Sequence, residues 1–403
     1  MRNKIISTYH RLLNSVDHST HRYLYDQLNL NSRLTGLIGP RGTGKTTLML
    51  QYINEKMKHC DQCMYAALDN ILFSSISLMD FVEEFYEVEG VRYFFFDEIH
   101  KYQNWNQELK NLYDSYPDIK IVFSGSSSLD LTKGTYDLSR RGVIFRIGGM
   151  SFREYLYFKE GKHFNPLDFQ QIIDGRGVAL REILSFPKIR GHFEEYLDYG
   201  YYPFVFEDKT TYHKKILNII DKTVFDDIAN FYALKTDNLP NFKKIISYMA
   251  TIPPGELNRN SISRKIGLDN KTVQNYLHIL QETGLIRLIR EGKSGGNLLK
   301  TTEKIYHDNP NLYKAIVDEI GYDYKKGTVR ELFFITMIEN SGRKLFYSKI
   351  GDFTVDGLNF EIGGKSKSKK QIKTNLATSY LVKDDILYGG KHEIPLFLFG
   401  FLY

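Results

Sequence analysis

The run Gly39-Pro40-Arg41-Gly42-Thr43-Gly44-Lys45-Thr46-Thr47 carries the pattern G-x-x-x-x-G-K-[ST] in full. Glycines at this spacing let successive backbone N–H groups turn inward around phosphate oxygens. Lys45 brings a mobile positive charge for the β- and γ-phosphates of a nucleoside triphosphate, and Thr46 brings a hydroxyl ligand for Mg2+. Downstream, the apolar run Tyr93-Phe94-Phe95-Phe96 leads into Asp97 and Glu98. Asp97 is placed to hold Mg2+ through water, and Glu98 to polarise an attacking water. Two adjacent acids argue for hydrolysis, because a pure binding site has no need of the second.

Other polar residues belong to the same chemistry. Ile119–Phe123 ends in Ser124-Gly125-Ser126-Ser127-Ser128. A polar residue at that strand tip can contact the γ-phosphate or orient water; Ser124 is the first candidate and Ser126 the second. Arg140 and Arg141 precede the next strand and are placed to reach the nucleotide of a neighbouring subunit.

The elements that must position these residues alternate. Strands are expected at Leu34–Ile38, Met64–Leu68, Tyr93–Phe96, Ile119–Phe123 and Val143–Ile147, with helices at Lys45–Met57, Ser77–Val88 and Trp105–Tyr116. Such alternation predicts a parallel sheet covered on both faces. The phosphate motif then lies between a strand and a helix, whose N-terminus adds its positive end. From Ser151 the pattern changes. Ser151-Phe152-Arg153-Glu154 is a capping box, and residues 151–240 read as mainly helical.

The run Leu37–Thr47, the stretch Asp97-Glu98-Ile99-His100-Lys101 with Asn104-Trp105, and the Ser124-Gly125-Ser126-Ser127 turn together resemble a bacterial and archaeal branch of the AAA+ ATPases. Members carry an N-terminal ATPase domain and a C-terminal domain. Tyr199-Gly200-Tyr201-Tyr202-Pro203 is similar to a glycine-containing turn of that family. The resemblance implies ATP binding and hydrolysis, with Arg140 or Arg141 at the arginine-finger position. Asp97-Glu98-Ile99-His100 also fits the D-E-x-H pattern of RNA helicases, but the second strand–helix series such enzymes need is absent from the sequence.

Residues 261–305 predict a helix-turn-helix with a wing. Ser261–Leu268 reads as a short helix and turn, and Asp269 or Asn270 as the cap of a helix running to Glu282. Val273, Leu277 and Leu280 form its apolar stripe, leaving Lys271, Gln274, Asn275 and His278 outside it, as on a recognition helix. Two strands, Leu285–Arg290 and Leu298–Ile305, flank a tip at Lys293–Asn297. Seven Lys/Arg against three Asp/Glu over 261–300 favour phosphate contacts with double-stranded DNA; docking a protein is the alternative use of such a fold.

Asp356-Gly357 is a hairpin turn signal between alternating strands. The implied register faces Val355 with Leu358, Thr354 with Asn359, Phe353 with Phe360 and Asp352 with Glu361. Opposed carboxylates about 4.5–5.5 Å apart repel unless a cation lies between them, which makes Asp352 and Glu361 a candidate second metal site. Paired acids on a central hairpin resemble the Mg2+-holding core of PD-(D/E)xK nucleases, which the C-terminal domain of the family also resembles. The lysine expected two residues after Glu361 is Gly363; the nearest is Lys365, displaced by roughly 7 Å at strand rise. Glu331 would be the helical acid of such a site, but Thr328-Val329-Arg330-Glu331 also reads as a capping box. One helix after roughly residue 320 and a final apolar strand near Pro395–Leu402 are expected on either side of this hairpin.

Composition frames the rest. The chain has 403 residues, 42% hydrophobic and 25% charged, with a net charge of +6, which excludes disorder and permits a nucleic-acid partner without demanding one. Its only cysteines, Cys60 and Cys63, are too few for a four-ligand zinc site and suit a reducing compartment. The N-terminus does not read as a signal peptide, and no apolar run is long enough to span a bilayer, so a cytoplasmic protein is expected. The reading as a whole is an α/β protein: a P-loop (AAA+/ASCE) parallel sheet with helices on both faces over 1–150, a helical region over 151–240, a winged helix over 241–310 and a small α+β nuclease-like domain over 311–403. ATP and Mg2+ are its cofactors. A DNA-associated ATPase is the first function; a nucleotide-dependent switch for protein partners and an ATP-regulated nuclease are the alternatives.

Overall fold

The computed structural model of the chain describes residues 2–58, 60–125, 141–232, 234–254, 258–292, 303–368 and 377–403. They pack as two compact units, Met1–Gly148 and Gly149–Tyr403.

The first unit is built on five parallel strands: β1 Leu34–Ile38, β2 Cys63–Ala67, β3 Tyr93–Asp97, β4 Lys120–Gly125 and β5 Gly142–Arg146. Their order is β2-β3-β4-β1-β5. Phe94, Phe95 and Phe96 on β3 are all fully buried, as a central strand covered on both faces requires. Three helices connect the strands: α2 Lys45–Lys56, α3 Leu78–Val88 and α4 Trp105–Ser115. Ser77 starts α3 by accepting a bond from the Asp80 N–H at 3.0 Å. A further helix, α1 Arg2–Ser15, was not expected from the polar look of the N-terminus. It buries only Ile5 and Tyr9, one turn apart, with Leu12 and Leu13 partly covered, so its apolar stripe is narrow. Cys60 and Cys63 are reduced, and burial, with Cys60 alongside, pushes the Cys63 thiol pKa up.

The second unit opens with the capping box expected at Ser151, which starts the helix Phe152–Glu160. Helices continue to residue 232, as the sequence pattern predicted. Three helices, Leu239–Thr251, Arg259–Ile266 and Asn270–Glu282, precede an antiparallel pair, β6 Ile286–Arg290 and β7 Glu303–His307. The expected tip Lys293–Asn297 lies outside the described residues. A mixed five-stranded sheet follows, order β12-β11-β10-β9-β8, made of β8 Leu345–Tyr347, β9 Phe353–Val355, β10 Leu358–Gly363, β11 Ser379–Lys383 and β12 Glu393–Pro395. The helix Lys326–Asn340 lies on it, with Phe334 in ring contact with Phe353, Phe360 and Phe399 at 5.8, 5.3 and 4.8 Å.

The one helix expected after residue 320 is Lys326–Asn340, and Pro310–Glu319 precedes it. One expectation is corrected: the apolar C-terminus is a 3-10 helix, Leu396–Phe401, not a strand; it is buried all round, and without alternation an apolar run does not distinguish the two. Within the second unit, residues far apart in the chain are bonded to one another. Tyr403 O accepts bonds from Ser151 Oγ at 2.8 Å and Arg153 Nε at 2.9 Å, and Asn311 Oδ1 accepts from Tyr201 N–H and the Tyr212 hydroxyl, both at 2.6 Å.

Candidate functional site

The phosphate motif begins where β1 ends and runs into α2. Gly42 and Gly44 have φ of 78° and 90°, the left-handed region that glycine enters without penalty. A Cβ at Gly39 would stand 2.0 Å from the Ile147 carbonyl oxygen, so no other residue fits there. Thr43 is buried, and its hydroxyl donates to Pro40 O at 2.8 Å. The Lys45 ammonium turns into the loop and donates to Gly39 O at 2.8 Å and Pro40 O at 2.9 Å. The loop is thus curled around a cation, the shape a phosphate group would meet. Thr46 and Thr47 are exposed on the first turn of α2. A residue the sequence reasoning missed braces this loop from behind: Arg22, buried, donates to Thr43 O and, at 2.8 Å, to Gly148 O.

Asp97 ends β3, and Ser124, one residue before the end of β4, lies beside it, between Asp97 and the loop. The Asp97 carboxylate collects four donors. Oδ2 accepts from the Thr46 hydroxyl at 2.5 Å and the Tyr65 hydroxyl at 2.9 Å. Oδ1 accepts from Ser124 Oγ and from the Glu98 N–H at 3.2 Å. Thr46, Asp97 and Ser124, picked out separately in the sequence, therefore meet at one carboxylate. Tyr65 was not picked out. Burial first, then the negative charge of Asp97, raises its pKa well above the ordinary phenol value.

Glu98 sits in the left-handed region at φ 51°, a conformation that costs a non-glycine residue and recurs at functional sites. Its N–H donates to Ser124 Oγ at 3.0 Å. Its Oε2 lies 3.3 Å from His100 Nε2 and 3.7 Å from Arg41 Nη2. Arg41 of the loop and Glu98 of the strand end therefore face each other across the site. His100 has a role beside Glu98 that only its place two residues after the acid hinted at.

Arg140 and Ser126 lie outside the described residues. Arg141 stands at the opposite end of the strands from the loop, because Gly142 pairs with Leu34 at the start of β1 while the loop follows Ile38. That is about 13 Å away at strand rise. It pairs with Asp114 at 3.3 Å. Within its own unit it does not join the phosphate loop.

In the second unit, Asp269 caps Asn270–Glu282 as expected, accepting from the N–H groups of Lys271 and Thr272 at 2.9 Å. Val273, Leu277 and Leu280 are buried; Lys271, Gln274 and Asn275 are exposed. Arg259, Arg264, Asn270, Lys271 and Gln274 line a cavity of about 650 Å³ beside this helix. Not all of the basic excess faces outward. Arg287 is half-buried between Asp308 at 3.0 Å and Glu339 at 2.5 Å, and Arg290 pairs with Glu303 at 3.1 Å.

The hairpin turn at Asp356-Gly357 has φ of 49° and 80°, and Val355, Thr354 and Phe353 face Leu358, Asn359 and Phe360 in the expected register. Asp352 does not continue it opposite Glu361. Its N–H donates to Phe360 O at 2.9 Å, a slip of one residue, and its carboxylate accepts from the Ile362 N–H at 2.8 Å. Direct opposition of two acids is thereby avoided. The neighbouring cation is Lys367, not Lys365: Lys367 Nζ lies 2.5 Å from Glu361 Oε1. Glu331 is not a cap residue, since its helix starts at Lys326; it is half-buried and accepts from the Tyr306 hydroxyl at 2.8 Å. Burial first, then the Asp352 charge, pushes the Glu331 pKa up to about 7. Among the described residues, no group of three or more His, Cys, Asp or Glu is arranged to hold a metal ion.

With this geometry in view, comparison with known proteins gives the following. Residues 31–156 match the AAA domain family, and residues 190–319 match a domain of unknown function, DUF8612. The first unit has the P-loop AAA+ fold, a nucleotide-binding class. Two relatives come from Methanocaldococcus jannaschii. The uncharacterized protein MJ1637 is 26% identical over 400 residues, covering 91% of this chain and 84% of its own length. The uncharacterized protein MJ1544 is 23% identical over 359 residues, covering 85% and 74%. Among solved structures, AMPPCP-bound DnaA from Aquifex aeolicus is 16% identical, covers 65% of this chain and 85% of its own, and has a TM-score of 0.27, too low for the superposition to carry an argument. No helix among the described residues is long and apolar enough to cross a membrane.

Proposed function

We propose that the chain binds ATP with Mg2+ and hydrolyses it, and that it acts at double-stranded DNA through the helix-turn-helix of its second unit. The observation that carries the ATPase reading is the Asp97 carboxylate, bonded at once to Thr46 of the phosphate loop and Ser124 of the neighbouring strand, with Glu98 next in the chain. The loop glycines and the Lys45 ammonium receive the β- and γ-phosphates, and the Thr46 hydroxyl and Asp97 hold the cation. Mg2+ neutralises developing phosphate charge when bound. Glu98 accepts the proton of the attacking water, and Ser124 fixes the backbone that orients Glu98. Arg141, at the far end of the strands in its own sheet, suits a role in trans in a self-associated form.

Exposed Lys271, Gln274 and Asn275 beside Arg259 and Arg264 support the DNA role. The test is ATPase rate with and without duplex DNA, together with DNA affinity across a salt series. Affinity that falls steeply with salt supports the reading. No DNA binding at low salt would move the protein to the switch reading, in which the same surface meets a protein.

The cluster of Glu331, Asp352, Glu361 and Lys367 supports a second reading, metal-dependent phosphodiester cleavage. Its three acids and one lysine are the residue types of a nuclease core, with Lys367 serving as the displaced lysine. Plasmid cleavage with Mn2+ that is lost in Glu361→Ala would support it, and no cleavage by the parent protein would remove it.

A further inference from the structure

We propose that Tyr65 is a positioning residue for the cation of the phosphate site: by donating to Asp97 Oδ2 it keeps that carboxylate from ligating the metal directly, and so reserves the site for a strongly hydrated ion, Mg2+ rather than Ca2+. The inference rests on the nucleotide-binding reading above and deepens it.

An ionised carboxylate offers about four lone-pair sites to donors or cations. At Asp97 four donors are present: Thr46 Oγ1 and Tyr65 OH on Oδ2, Ser124 Oγ and the Glu98 N–H on Oδ1. Three of them belong to the phosphate loop or to the ends of β3 and β4, the elements a bound nucleotide engages. Tyr65 does not. It comes from β2, outside the loop, and is buried at 3% exposure. Its ring lies parallel to that of Tyr9 at 6.4 Å, which holds the hydroxyl on target.

A saturated carboxylate is a poor direct ligand but still attracts the waters of a hydrated ion. Mg2+ dehydrates reluctantly and keeps several waters, whereas Ca2+ takes six to eight oxygen ligands and favours direct carboxylate contact. A site in which the acid works through water therefore favours Mg2+. Removing the Tyr65 hydroxyl frees one lone pair of Oδ2 for a cation, which strengthens the hold of the carboxylate on any divalent ion.

The experiment uses the full chain and a fluorescent ATP analogue, with binding titrated against Mg2+ and, separately, Ca2+. Hydrogen bonds to charged groups set the scale, so Tyr65→Phe should lower the half-saturating Mg2+ concentration roughly ten- to hundredfold and lower that for Ca2+ by more. Tyr65→Leu should do the same, and thermal unfolding reports whether either variant has lost its fold. A purely structural tyrosine would instead weaken nucleotide binding with both ions alike. The proposal is overturned if Tyr65→Phe leaves both metal dependences unchanged or weakens both. It is overturned without any variant if the parent protein binds the analogue equally well with Ca2+ and Mg2+. A parent that binds no nucleotide with either ion would instead remove the ATP reading, and this inference with it.

Discussion

Glu98→Gln separates binding from hydrolysis most sharply. The substitution keeps side-chain volume and removes one charge. Glu98 Oε2 lies 3.3 Å from His100 and 3.7 Å from Arg41, with the Glu98 side chain 19% exposed. Ion pairs in partly exposed settings stabilise by about 1 kcal/mol or less, so the fold should hold and Tm should move by only a few degrees. Nucleotide affinity should be equal or tighter, because a negative charge facing the γ-phosphate is gone. Turnover should collapse. A positioned general base contributes about 10²–10⁴-fold, or roughly 3–5.5 kcal/mol of barrier, and an amide cannot accept the proton. The assay is single-turnover phosphate release, paired with a binding titration on the same preparation. Release at the parent rate with intact binding would show that water is activated elsewhere, and the role given to Glu98 would be wrong.

Lys45→Ala removes the ammonium bonded to Gly39 O and Pro40 O, and calorimetry should find ATP affinity down by at least about 100-fold, since charged hydrogen bonds contribute roughly 1.5–3 kcal/mol each. If Arg141 acts in trans, ATPase rate per subunit should rise with protein concentration in the parent and rise less in Arg141→Ala, whose exposed pair with Asp114 contributes about 1 kcal/mol or less; a flat parent profile would sink the role. Glu331, with its folded-state pKa raised to about 7 from an unfolded value near 4.5, stabilises fully below the unfolded value and loses that contribution as pH rises to 7. Glu331→Gln should therefore flatten the fall in urea stability between about pH 4.5 and 7, and an unchanged slope would count against the assignment. Arg287→Ala leaves the buried Asp308 carboxylate without its cation, so urea unfolding should show a loss of about 1–3 kcal/mol; a loss under about 0.5 kcal/mol would mean that water takes the place of the guanidinium.

What could be read from the chain alone was local. The loop from Gly39 to Thr46, the cap at Ser77, the capping box at Ser151, the Asp269 cap and the turn at Asp356-Gly357 each depend on a few consecutive residues whose backbone preferences and donors act over one turn. Strand and helix periods did the rest for β1 to β5 and for the helices Arg259–Ile266 and Asn270–Glu282. Local rules failed where one pattern served two structures. Leu396–Phe401 is apolar without a period, and Thr328–Glu331 has the letters of a cap but lies inside a helix that starts at Lys326.

The site itself needed the tertiary fold. Asp97, Ser124 and Thr46 were each visible, but that they share one carboxylate follows from β4 lying between β1 and β3, a pairing that no local pattern encodes. Tyr65 and Arg22 carry no motif; they matter because β2 pairs with β3 and because the segment before β1 folds back behind the loop. At the hairpin, the register through Phe353 and Phe360 was legible, while the slip at Asp352 and the choice of Lys367 over Lys365 were not. Opposed charges in a low-dielectric setting are costly, and the chain relieved that cost by moving the backbone and bringing in a lysine from beyond the strand, a response set by all the groups packed there together.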